Sequence, residues 1–123
     1  MSLRFVTKDL HAYLDYPVAI GLMMMPALLG LGGSNPLAFW LSVVTGVAAL
    51  GLTVLTDHKL GLIRVLPYRL HLAVDGAVGL VFLAAPSLLG FTGIDALYYW
   101  VIGATVLLVV GLHKGEPALQ PAE

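Results

Sequence analysis

Two short steps in this chain place an imidazole and a carboxylate one helical turn apart: His11-Ala-Tyr-Leu-Asp15 and His71-Leu-Ala-Val-Asp75. At i, i+4 the two side chains share a helix face, and the aspartate stands about 6 Å deeper along the axis. Each step opens a hydrophobic run, where a carboxylate is costly unless something answers its charge. The simplest account is structural, with each His satisfying its own Asp. Three chemical readings stand beside it. Brought together, His11, Asp15, His71 and Asp75 offer two imidazoles and two carboxylates, a donor set suited to a tetrahedral divalent ion such as zinc. His11 and His71, at matching depth on two helices of a bundle, can supply both axial ligands of a haem. Asp15 and Asp75 would then hold the ring nitrogens. The quartet can also accept protons, because histidine titrates near neutrality.

The two steps are sixty residues apart, and so is much else. Residues 3–53 lie over 63–113 without a gap, matching Arg4 to Arg64, Leu10 to Leu70, Pro26 to Pro86, Gly30 to Gly90 and Trp40 to Trp100. A period of this length defines the structural unit. Both units insert in the same direction, which predicts an approximate two-fold axis along the membrane normal. That is unlike the inverted repeats of many secondary transporters.

Composition puts these units in a bilayer. The chain is 59% hydrophobic and 11% charged, with a mean hydropathy of +0.96, whereas charged residues make up about a quarter of soluble domains. Tyr16 to Thr56 contains no Asp, Glu, Lys, Arg or His, twice the roughly 20 residues that one spanning helix needs. The reading is one all-α domain, 1–114, an integral membrane four-helix bundle of two tandem parallel hairpins. Its spans fall near 11–30, 36–55, 70–90 and 96–113, and residues 115–123 form a disordered cytoplasmic tail. A net charge of −1 excludes a dominant basic surface for nucleic acid. With no cysteine there is no disulfide framework, thiolate site or Cys nucleophile.

Arg4, Lys8, Lys59, Arg64, Arg69 and Lys114 all flank the spans on one side, and the two hairpin turns carry no Lys or Arg. The positive-inside rule then makes both termini and the central loop cytoplasmic. The first span carries His11 and Asp15 and has a twin deep in the chain, which argues against a cleaved leader. In the first turn Asn35 is the expected N-cap and Pro36 the first helical residue. Asp95 overlies Asn35 and is expected to cap the fourth span. Trp40, Tyr98, Tyr99 and Trp100 suit an interfacial aromatic belt. The segment 57–69 reads as an amphipathic helix on the cytoplasmic leaflet, with 3–6 as its repeat mate. Met23, Met24 and Met25 are filler. Gly21, Gly46, Gly51, Gly76, Gly79, Gly103 and Gly111 suit close helix packing. His58 and His113 are expected to be solvated, although His113 joins the quartet if the fourth helix packs beside the first.

No nucleophile elbow, P-loop, dinucleotide fingerprint or zincin motif is present, and the chain is read as a non-enzyme. Two helices per unit, with Pro26-Ala-Leu-Leu-Gly30 and Pro86-Ser-Leu-Leu-Gly90 before an aromatic stretch ending at Trp40 and Trp100, resemble the SPW repeat of small bacterial and archaeal membrane proteins. Met25 and Ala85 precede the prolines and Ala27 and Ser87 follow them, so neither copy holds a Ser-Pro-Trp. The resemblance covers nearly the whole chain. It implies a bacterial membrane protein and transfers no catalytic residue. The paired His/Asp steps are also similar to the transport site of cation-diffusion-facilitator zinc transporters, a likeness confined to the motif. The expected function is binding of a metal ion or haem at the cytoplasm-facing quartet. The alternatives are an accessory subunit of a larger membrane complex and a small ion or proton conduit. The bilayer and a homo-oligomer or larger complex are the expected partners.

Overall fold

A computed structural model of the chain describes residues 5–57 and 60–113. The expectations for Arg4, His58, Lys59, Lys114 and the tail 115–123 fall outside those residues. The fold is all-helical, with α1 (Lys8–Leu29), α2 (Leu37–Leu55), α3 (Tyr68–Leu89) and α4 (Gly93–Gly111) in order. Among the described residues extended pairing is limited to isolated bridges, Val6 with His113 and Thr56 with Leu66. All four helices are long and apolar enough to cross a membrane, and only 22–28% of each apolar stretch is buried inside the molecule. Leu28, Leu80, Leu88 and Leu108 point outward, each more than 60% exposed. Water does not favour such a surface, and hydrocarbon does.

Local chemistry sets the helix ends. Thr7 begins α1, its Oγ1 accepting the Leu10 N–H at 3.1 Å. α1 and α3 end at Gly30 and Gly90, both left-handed (φ 63° and 70°). The chain then folds back, so that Leu31 N–H donates to Pro26 O at 2.9 Å and Phe91 N–H to Pro86 O at 3.0 Å. This closure satisfies the last carbonyls and buries Leu31 and Phe91 against the core.

Packing is concentrated within each hairpin, α1 on α2 and α3 on α4. Each crossing depends on glycine. A Cβ on Gly46 would lie 2.7 Å from Met23 Cγ and 2.8 Å from Ala19 O, and one on Gly103 would lie 2.9 Å from both Gly79 O and Leu83 N. Gly79 would likewise meet Leu107 Cγ at 2.8 Å, whereas Gly21, Gly51 and Gly111 have nothing within 4 Å. Of the glycines expected at helix contacts, these three therefore face open space. The contacts also correct the repeat register. Ala19 and Met23 correspond to Gly79 and Leu83, sixty residues on, but Gly46 corresponds to Gly103, fifty-seven on. α4 starts early because its turn is shorter, three residues after α3 against seven after α1. Trp40 and Trp100 are thus not equivalent in space.

The turn end is fastened by polar groups. Asp95 does not cap α4, which starts at Gly93 after Thr92. Its carboxylate, 1% exposed, crosses to the first hairpin and accepts from Gly32 N–H (2.9 Å), Ser34 N–H (2.9 Å) and Ser34 Oγ (2.6 Å). Asn35 Oδ1 does accept the Leu37 N–H at 3.0 Å, and its amide donates to Leu89 O at 2.9 Å. Tyr98 and Tyr99 are buried, not interfacial. Tyr99 OH donates to Ala38 O at 2.7 Å, and Tyr98 OH meets Ser42 Oγ at 2.6 Å. Both hydroxyls find partners that hydrocarbon would not offer. Trp40 and Trp100 remain half exposed (58% and 48%).

Of the segment expected to be a surface helix, the described residues 60–67 are irregular instead, and Tyr68 and Arg69 already belong to α3. Leu62 and Ile63 donate N–H groups to Val54 O, and Val65 and Leu66 donate to Leu55 O. Its amides therefore cap the end of α2 and are unavailable to a helix of their own. Leu62, Ile63 and Val65 are nonetheless exposed.

Two substitutions test this architecture in detergent by thermal unfolding followed through helical circular dichroism. Gly46→Val is expected to cost about 1–3 kcal/mol by overpacking, while Gly51→Val stays near wild type. Asp95→Ala is expected to lose about 1–3 kcal/mol by orphaning buried donors of the first turn.

Candidate metal centre

His11 and His71 are each the fourth residue of their helix, α1 and α3, and the following turn carries Asp15 and Asp75. The four side chains converge where the starts of the two helices meet. His11, His71 and Asp15 are 4%, 2% and 8% exposed. His11 Nε2 lies 3.2 Å from Asp75 Oδ2, and His71 Nε2 lies 3.3 Å from both Asp75 Oδ2 and Asp15 Oδ2. Within α1, His11 Nδ1 is 2.8 Å from Asp15 Oδ1, an ion-pair contact without hydrogen-bond direction. Two of these four contacts, His11 to Asp75 and His71 to Asp15, run between helices. Sequence spacing explains the pairing of His and Asp within a helix, but here each His also serves the other helix's Asp.

One ligand atom from each residue can be chosen so that all four lie within 4.8 Å of one another. With metal–nitrogen and metal–oxygen bonds of about 2.0–2.1 Å, a tetrahedral ion separates its donor atoms by about 3.3–3.4 Å. The separations of 3.2 and 3.3 Å between the helices, and of 3.3 Å within α3, match that edge length. The two rings stand edge to face, with centroids 5.6 Å apart and planes at 89°.

Three more residues surround the quartet, Thr56 and Tyr68, which sequence reasoning did not assign to it, and His113, which was expected there only if α4 packs beside α1. Thr56, just past α2, places Oγ1 2.7 Å from His71 Nδ1, which fixes the ring and leaves Nε2 for the cluster. Tyr68 packs edge-on against His11 at 6.0 Å and near-parallel to His71 at 6.2 Å. His113 is not simply solvated. Its Nε2 is 2.8 Å from Tyr68 OH, and its ring centroid is 6.1 Å from that of His11. Val6 N–H donates to Leu112 O at 3.1 Å, holding this end of α4 over the start of α1, and Lys8 Nζ lies 5.3 Å above the Tyr68 ring. Thr56 and His113 are fifty-seven residues apart, the register of Gly46 and Gly103. A gapless shift of sixty instead places His113 over Thr53, which hid the relation.

On its other side the quartet faces a cavity of about 470 Å³ between the hairpins. Val18, Val44, Ala48, Val78, Val106 and Val109 make up much of its wall. Phe82, Tyr99, Phe91 and Leu22 fill the molecule toward the turns. The quartet is thus polar, buried, roofed by Tyr68 and His113, and floored by apolar space.

No protein-family model, curated protein or solved structure matches the chain.

Thr56→Val removes the partner of His71 Nδ1 at nearly constant volume and is expected to cost about 1–3 kcal/mol in thermal unfolding, with Thr56→Ser close to wild type.

Proposed function

We propose that the chain is a small multi-pass membrane protein whose two hairpins, related by a two-fold axis along the membrane normal, bind a divalent metal ion of the zinc type through His11, Asp15, His71 and Asp75. The observation that carries this reading is the set of N···O separations at a tetrahedral edge length, two between the helices and one within α3. Two neutral imidazoles and two carboxylates leave a bound dication with no net charge, which suits a buried site. The basic flanks support placing this end in the cytoplasm of a bacterial cell. The repeated Pro-x-Leu-Leu-Gly units support the SPW-repeat assignment as the family reading.

Haem is the less favoured ligand. Asp75 Oδ2 sits within 3.3 Å of both Nε2 atoms, where a macrocycle between two axial imidazoles would have to pass. The apolar cavity and the aromatic core beyond it count against a continuous ion path, so the ion is read as resident and not as cargo. An accessory role in a homo-oligomer or larger complex is the second reading. It is favoured by Gly51 and Gly111, exposed positions that have nothing within 4 Å and leave room for another helix.

Elemental analysis and an absorption spectrum on protein purified in mild detergent without chelator test the assignment. Near-stoichiometric metal with no Soret band is expected, lost in His11→Ala/His71→Ala. Affinity should fall as pH falls, because protons compete for the same ligand atoms, and Thr56→Val should weaken binding by about 10–100-fold. Protein that stays metal-free after zinc addition overturns the metal reading. A Soret band in that protein establishes haem, and stable co-purifying subunits point to the accessory role.

A further inference from the structure

The cavity beneath the quartet is a second site with its own chemistry. Thr53 and Val44 mark its length along α2, about 13 Å at about 1.5 Å per residue. Its volume of about 470 Å³ lies within the range of about 300–1,000 Å³ typical of small-molecule pockets. The space is a cleft open at the outer surface, where its lining residues Val18 and Val44 are 45% and 62% exposed, so an apolar chain can enter it from the side. The three threonines on the wall add no donors. Thr45, Thr53 and Thr105 give their hydroxyl protons to Leu41 O, Ala49 O and Val101 O of their own helices. Hydrogen-bonding capacity for a ligand is therefore concentrated at one end, where His11, Asp15, His71 and Asp75 line the cavity.

The lining thus describes an elongated amphiphile with a polar head toward the starts of α1 and α3 and an apolar body between the hairpins. Charge fixes the kind of head. An anionic head would sit against two carboxylates, and a cationic head would compete with two imidazoles already set on those carboxylates, so this end takes a neutral head. We propose that this cavity binds a neutral lipid with an oxygen head group, a carbonyl or hydroxyl, held at the quartet. Prenyl quinones and long-chain alcohols share that chemistry. The proposal rests on the length and lining of the cavity and not on the metal reading.

The test is photo-crosslinking of the full chain in liposomes with a diazirine-bearing decanol, beside the matching decanoate and decane probes, followed by peptide mapping. Saturable labelling of 44–53 and 105–110 by the decanol probe is expected, competed by unlabelled decanol or a short-chain prenyl quinone. Ala48→Phe and Val106→Phe, which fill the cavity, should each cut that labelling roughly tenfold or more. Leu80→Phe, on the outer surface, should leave it unchanged, and helical circular dichroism confirms that each variant is folded. Mass spectrometry of the organic extract then tells a quinone from an alcohol. Labelling that does not saturate, that is as strong with decanoate or decane, or that survives both filling substitutions in folded protein overturns the proposal. Zinc content measured on the same preparations reports separately on the metal centre.

Discussion

A buried charge has to be answered, and in this protein the answer comes from the other hairpin. Asp15 alone could be met by His11 within α1, and Asp75 by His71 within α3. Besides those contacts, each imidazole reaches the opposing carboxylate at 3.2–3.3 Å, so neither hairpin can leave without breaking into the buried pairing. Apolar contact does little to hold helices together in hydrocarbon. The spacing between hairpins therefore follows from this polar knot and from the Asp95 clasp at the far end. Between those fastenings the hairpins are free to stand apart, and there they leave the cavity.

The two fastenings differ in kind. At the turns, Asp95 accepts from backbone and Ser34 donors, and the tyrosine hydroxyls have fixed partners. Every group there is engaged in a specific bond, and an aromatic core packs behind it. At the quartet the contacts are longer, Asp75 is still 21% exposed, and His11 Nδ1 makes an ion-pair contact without hydrogen-bond direction. One end is built as a joint, and the other keeps capacity to bind something.

Much of this was legible in the chain. Uncharged runs gave four helices, and the recurrence of His-x-x-x-Asp gave the quartet, because polar residues are rare enough in such helices for their spacing to mean something. Apolar residues carry less information. In the second helices the two units are about as alike at a shift of fifty-seven as at sixty, so sequence could not choose the register that brings Thr56 and His113 to the site. The burial of Tyr98 and Tyr99 was hidden for a related reason, since an aromatic with a hydroxyl suits an interface as well as a core. Segment 57–69 has the composition of a surface helix, but the unsatisfied carbonyls at the end of α2 claim its amides. That competition is decided by tertiary placement. Asp95 was misread because its partners lie on the other hairpin, more than sixty residues away.

The unequal turns carry a consequence for how such a chain can vary. The three-residue shift in register falls about 60° short of a whole helical turn, so α4 is advanced along its axis with only a modest change in facing. Gly103 still meets the α3 backbone, and His113 still comes down beside the quartet. A gain or loss of one residue would instead swing the following helix through about 100°, taking the glycine out of the crossing and the site's flanking residue away from it. The turns therefore act as a phase lock: insertions and deletions pass freely only in steps near a whole turn. Within this architecture, divergence in length is quantised by the helix itself.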